Sequence, residues 1–218
     1  MTCAHCRDAG DFFGDRIARS ELKRYRRKGP GKPTRLLLDA LLAEGVEGRG
    51  LLDIGGGVGA IQHELLEAGA ARAVNADASP AYQEAARREA ERRGTAAKID
   101  FYLGDFVEMA PQIPEAHVVT LDRVICCYPD MPALVGASAD RARELWGAVF
   151  PRERVLMRVG IFAVNVFQRL RRKAFRVYVH PTAGVEGVLR ARGFVPRHHR
   201  TTLFWQVVVW RRVEWEAV

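Results

Sequence analysis

The spacing of hydrophobic positions changes period along this chain. Phe13, Ile17, Leu22 and Tyr25 recur at roughly helical spacing among basic residues, which predicts a helical N-terminal extension. Gly29-Pro30-Gly31-Lys32-Pro33 interrupts it, and Thr34 is placed to cap a helix through Leu37, Leu38, Leu41 and Leu42. From Gly50 onward, short apolar runs alternate with helical patterns. Strands are predicted over Leu51–Ile54, Ala73–Ala76, Ile99–Leu103, Val118–Leu121 and Arg154–Val159. Helices are predicted through Ile61, Leu65 and Leu66, from the Ser79 cap and Pro80 to Gly94, and over Met131–Trp146. A helix over Ala183–Arg192, closed by Gly193, precedes two strands within Phe194–Trp215. Strands separated by helices imply a parallel, doubly wound α/β sheet. The last two strands have no helix between them, so one of them must run antiparallel.

Composition narrows the class. The 218 residues are 48% hydrophobic and 28% charged, which suits one substantial globular core. No apolar run approaches a membrane span, and Met1-Thr2-Cys3-Ala4-His5-Cys6 lacks the apolar stretch of a signal peptide. A cytoplasmic protein with reduced cysteines is expected. The net charge of +8 is unevenly placed: Arg16 to Arg35 holds nine basic residues against one acid, Glu21. A second block, Arg169 to Arg176, holds five basic residues and no acid. Such blocks are read either as solvated helix faces or as an electropositive surface for an anionic substrate or nucleic acid.

The chemistry concentrates at the strand ends. Leu51-Leu52-Asp53-Ile54-Gly55-Gly56-Gly57-Val58-Gly59-Ala60 runs from a strand through a glycine turn into a helix. Glycine permits a positive φ and lets backbone approach a ligand closely. Gly55-x-Gly57-x-x-Ala60 also satisfies a relaxed dinucleotide fingerprint, so the glycines alone leave the ligand open. Asp53 argues against pyrophosphate, which its carboxylate would repel, and favours a ligand with cationic groups. Asp77 ends the second strand, where a carboxylate can accept from ribose hydroxyls. Asp105 follows the third strand, where it can accept an adenine amine, with Phe106 as an apolar wall. Asp122 follows the fourth. The alternative for each carboxylate alone is a helix cap or turn residue.

The set resembles the class I S-adenosylmethionine (SAM)-dependent methyltransferases. Asp53-x-Gly55-x-Gly57-x-Gly59 matches that family's acidic-x-Gly-x-Gly-x-Gly motif. Asn75-Ala76-Asp77-Ala78-Ser79-Pro80 resembles its ribose-binding strand end, and Gly104-Asp105-Phe106 its adenine-binding element. The resemblance implies a Rossmann-like seven-stranded sheet, mostly parallel with an antiparallel C-terminal strand. A basic helical arm, 1–33, would precede a methyltransferase domain, 34–218. SAM would be the cofactor, held by Asp53, Gly55, Gly56, Gly57, Gly59, Asp77, Ala78, Asp105, Phe106 and Asp122. A weaker resemblance, to magnesium-protoporphyrin O-methyltransferases, rests on Asp122-Arg123-Val124-Ile125-x-x-Tyr128-Pro129 and on a basic insert, Arg169 to Pro181. That family methylates a propionate carboxylate.

Methyl transfer from a sulfonium needs an acceptor held in line with the leaving sulfur. Asp122, Arg123 and Tyr128 are the candidate catalytic residues. Arg123 could pair with an acidic substrate or, alternatively, with Asp122; Tyr128 could orient the acceptor or serve as packing. His180 could act as a base or be structural. A small acidic or aromatic acceptor is expected. RNA bound by the basic arm is one alternative, and a non-catalytic SAM- or dinucleotide-binding protein is another. Cys3-x-x-Cys6 with His5 is half of a zinc knuckle, and the adjacent Cys126-Cys127 suit one tetrahedral ion poorly. No metal is assigned, with a four-thiol site near the cofactor as the alternative. No oligomeric state is read from the sequence.

Overall fold

The computed structural model describes residues 13–213. Two helices, α1 (Asp15–Lys28) and α2 (Lys32–Ala43), lead into an alternating segment. That segment comprises β1 (Gly50–Ile54), α3 (Ala60–Glu67), β2 (Arg72–Asp77), α4 (Pro80–Arg93), β3 (Ile99–Leu103), α5 (Phe106–Met109) and β4 (Ala116–Asp122). There follow α6 (Met131–Arg141), β5 (Ala142–Pro151), α7 (Val155–Leu170), α8 (Thr182–Arg190), β6 (Phe194–Thr201) and β7 (Trp205–Arg212).

The seven strands form one sheet in the order β3-β2-β1-β4-β5-β7-β6. β7 runs antiparallel to both of its neighbours, and the remaining pairs are parallel. This is the Rossmann-like arrangement expected from the alternation of strands and helices. The two-residue period of the strands divides the core. Leu51, Val118, Leu145, Val149 and Val209 pack on Leu37 and Leu41 of α2 and Ile61 and Leu65 of α3. Leu52, Ile54, Val119, Leu121, Trp146 and Phe150 face the opposite way, onto α6 and α8. Successive strands are added on one side of β1 as far as β3 and on its other side from β4, and this reversal of strand order opens a crevice at the carboxyl ends of the parallel β1 and β4.

Three boundaries depart from the sequence reading. The strand expected at Arg154–Val159 is instead the first part of α7. The fifth strand is Ala142–Pro151, whose last seven residues are all buried. A short apolar run satisfies both periods, and the helical pattern from Met131 continues through Leu134, Val135 and Trp146, so it masked the turn into β5 at Ala142. Thr34 does not cap α2. That helix starts at Lys32, with Gly31 as its cap and Pro33 in the first turn. Thr34 is instead buried and donates its hydroxyl to Asp122 Oδ2 at 2.6 Å.

Candidate functional site

The crevice holds a cleft of about 440 Å³, with mostly apolar walls. Its floor is the glycine turn. Gly55 follows β1 at φ 62°, and a Cβ there would come within 2.3 Å of Val124. Gly57, at φ 55°, turns its N–H onto Asp77 Oδ2 at 2.9 Å. A Cβ on Gly56 would sit 2.4 Å from the Asn75 amide. These positions therefore leave backbone as the surface a ligand meets. Gly59 caps α3 in the left-handed conformation and is not among the residues lining the cleft.

The other residues assigned to the cofactor line the cleft together: Asp53, Gly55, Gly56, Gly57, Asp77, Ala78, Asp105, Phe106 and Asp122. Asp53 is almost wholly buried and accepts the Thr120 hydroxyl at 2.7 Å. Burial is the main cause that pushes its carboxyl up to about 7, with Asp122 and Asp77 adding to it. Asp77 accepts from the backbone of Gly57 and, at 2.7 Å, of Ser79. Burial outweighs these bonds and raises its carboxyl to about 6. The Ala78 N–H also bonds to Asp77, and these three donors leave accepting capacity among the roughly four lone-pair sites of its two oxygens. Asp105 is both a cap and a wall residue. Oδ1 accepts the Val107 N–H at 2.9 Å, and both oxygens lie 3.1 Å from the Tyr128 hydroxyl.

Arg123 and Tyr128 also line the cleft. Arg123 stands at φ 63°, a left-handed conformation for a residue with a side chain. Its Nε and Nη2 meet Asp122 at 3.0 and 3.1 Å, and Nη2 lies 3.8 Å from Glu21. Burial opposes its charge, and Asp122 more than offsets that, so the guanidinium stays protonated. The pairing of Arg123 with Asp122 is thus formed within the protein. His180 places Nε2 2.9 Å from the Tyr128 carbonyl, which fastens the segment after α7 over the 3-10 turn Ile125–Cys127. The ring does not line the cleft. Cys126 and Cys127 have sulfurs 3.7 Å apart, and the hydrogen bond between the two thiols, with burial, pushes the Cys126 thiol up. Cys3, His5 and Cys6, the remainder of the four-thiol alternative, lie outside the described residues.

Several lining residues escaped the sequence reading, Phe13, Glu21, Tyr82, Val177 and Trp205 among them, and Ser79 is read there only as part of the strand-end motif and as a helix cap. Phe13 and Glu21 come from the N-terminal arm, which folds over the cleft. Ser79 Oγ donates to the Phe13 carbonyl at 2.8 Å, and the Tyr82 hydroxyl donates to Glu21 Oε2 at 2.5 Å. The Phe13 ring meets Tyr82 and Phe175 at centroid distances of 5.9 and 5.7 Å. The one available signal was Glu21, the single acid in a block of nine cations.

Comparison with known proteins agrees with this geometry. Residues 51–143 match the family model described as a methyltransferase domain. Ribosomal protein L11 methyltransferase of Edwardsiella ictaluri is 29% identical over 123 residues, 53% of this chain and 42% of that protein. The chain thus spans about two fifths of the length of this curated relative. Magnesium protoporphyrin IX methyltransferase from Synechocystis, solved with bound S-adenosylhomocysteine (SAH), superposes with a TM-score of 0.73 at 18% identity. The match covers 96% of this chain and 100% of that one. An O-methyltransferase family protein from Burkholderia thailandensis gives 0.70 at 17% identity, over 96% of this chain and 63% of that one. A putative RNA methyltransferase from Pyrococcus horikoshii gives 0.58 at 13%, over 84% of each chain. At these identities the solved structures speak to fold, and the fold spans acceptors of different classes.

Proposed function

We propose that this chain is a class I SAM-dependent methyltransferase that methylates a small acidic or aromatic acceptor at the mouth of the cleft, a reading supported by the methyltransferase-domain match and the fold. The observation that carries the cofactor half of this reading is the convergence of Asp53 and Asp77 on the glycine turn at the floor of the cleft, where Asp53 lies against Gly56 and Asp77 accepts the Gly57 N–H; both carboxyls are raised there. In the free protein each binds its proton more tightly folded than unfolded. Each therefore lowers stability as pH rises from about 4 toward its folded value. A ligand with cationic groups and hydroxyl donors reverses that penalty, whereas a pyrophosphate would deepen it. The glycine cradle and the cleft volume fit the same ligand.

When bound, SAM supplies an electrophilic methyl group on a sulfonium sulfur. Asp77 would hold the ribose hydroxyls through its remaining lone pairs, Asp105 the adenine amine, and Phe106 the ring face. Asp53 and the glycine backbone would face the amino-acid portion. Asp122, held by Thr34 and Arg123, would border the transfer position. Arg123 acts as a positioning residue in this arrangement, because Asp122 already takes its fork. The polar groups around the mouth are engaged: Asp122 with Thr34 and Arg123, Tyr128 with Asp105. An acceptor that is already anionic needs no proton removed, and a carboxylate therefore suits this mouth better than an amine.

Calorimetry with SAM and SAH tests the site. Asp77→Ala should weaken both by about a hundredfold, the scale of losing two hydrogen bonds to a charged group. Wild-type affinity should hold above about pH 7 and fall as pH drops, first as Asp53 takes up its proton near 7 and further as Asp77 does near 6. Binding of NADH with none of SAM would overturn the assignment. Methyl-labelled SAM with fractionated cell extract tests the acceptor. Label is expected in small molecules. Label in RNA would favour the arm as a nucleic-acid surface, and tight binding without transfer would favour a non-catalytic protein.

A further inference from the structure

Helix α7 inverts the usual burial pattern. Val155, Leu156, Val159, Phe162, Phe167 and Leu170 are between 55% and 78% exposed. At helical spacing they share one broad face, with Arg158 and Arg169 along its border. The opposite line, Met157, Ile161, Asn165 and Gln168, turns toward the protein, and Gln168 is the one buried residue of the helix. The mostly apolar face therefore points outward.

A second element continues this surface. The β6–β7 hairpin tip exposes Leu203 and Phe204, and it is fastened to the residues just before α7. The Arg152 N–H donates to the Phe204 carbonyl at 2.9 Å, and its Nη1 donates to that of Thr202 at 3.0 Å. Both elements stand beyond the carboxyl end of β5, the edge of the sheet where the cleft opens. They are also joined to its rim. Asn165 of α7 exchanges two hydrogen bonds with Val177, at 2.7 and 2.9 Å, and Val177 lines the cleft, as does Trp205 at the start of β7.

The surrounding charge identifies the occupant. Residues 152–176 hold eight basic residues and one acid, Glu153. A second copy docked face to face would set this positive rim against itself. An anionic bilayer offers both requirements at once: acyl chains for the apolar face and lipid phosphates for the arginines. The 16 residues of α7 span about 24 Å, and no described helix is long and apolar enough to cross a membrane. A helix of this kind lies along the interface.

We propose that α7 and the Leu203–Phe204 tip dock the mouth of the cleft onto a bilayer containing anionic lipid. This goes beyond the methyl-transfer reading and does not depend on it. The test is co-sedimentation of the full chain with vesicles of phosphatidylcholine alone and of phosphatidylcholine mixed with phosphatidylglycerol. The chain is expected to partition onto the mixed vesicles, weakly or not at all onto the neutral ones, and less as salt is raised. Phe162→Glu should lower that partition about tenfold or more. Arg169→Glu should lower it less, and both variants should retain the helical circular dichroism and SAH affinity of the wild type. Three results would each overturn the proposal: no binding to the mixed vesicles, undiminished binding by Phe162→Glu, or a wild-type dimer in centrifugation that Phe162→Glu makes monomeric.

Discussion

The arm helix α1 and the helix α7 both sit in strongly basic stretches, and they are held in contrasting ways. α1 turns Ala18 and Tyr25 inward onto Val58, Tyr82 and Ala85. Two of its polar side chains, Arg26 and Tyr25, find acids in the body of the protein. Arg26 meets the buried Glu89 at 2.8 Å, and the Tyr25 hydroxyl donates to Glu64 at 2.9 Å. Glu89 also takes Arg92 and Arg93. Burial opposes its charge, but these three arginines bring its carboxyl down to about 2. Among the described residues α7 reaches no buried acid: Arg158 meets Glu153 of its own segment at 3.7 Å, and the strongest apolar side chains of that segment face outward. Positive charge in sequence is thus compatible with two outcomes. Where acids converge from other elements, a basic helix becomes structural; where they do not, its charge stays at the surface.

The contrast can be tested from both sides. Glu89→Ala should cost about 2–3 kcal/mol in urea denaturation, because it removes a buried carboxylate and leaves three arginines without their shared partner. A loss below about 0.5 kcal/mol would mean that apolar packing, not charge, holds the arm. Phe13→Ala should weaken SAH about fivefold in calorimetry, since it strips an aromatic wall from the cleft. Unchanged affinity would separate the arm from the ligand site. The smallest effect belongs to α7: Phe162→Glu should leave folding stability within about 0.5 kcal/mol, as expected of a largely exposed position. A larger loss would show that the face is covered by something in the isolated protein.

Much of the site was legible because it is local. The glycine turn, Asp77, Asp105 and Phe106 each sit within a few residues of a strand end, and parallel pairing brings those ends together without further information. The assignments of Arg123 and Tyr128 were less legible, because their partners lie elsewhere. Asp105, 23 residues away, holds the Tyr128 hydroxyl. Thr34 reaches Asp122 across 88 residues, so the residue read as a helix cap is a support of the site. The fifth strand was missed for a different reason. Trp146 suits the helical period of α6 as well as the two-residue period of β5, and only sheet pairing with β4 and β7 separates them.

The sequence by itself determined the doubly wound sheet, the antiparallel final pairing and the glycine-and-carboxylate character of the crevice. Those features follow from residue periods and from backbone freedom at single positions, both of which are local. Tertiary structure decided what the arm does, where Arg123 spends its charge and which face of α7 meets solvent. These depend on distant partners, because an ion pair or a buried face exists only once separate elements have been packed against each other.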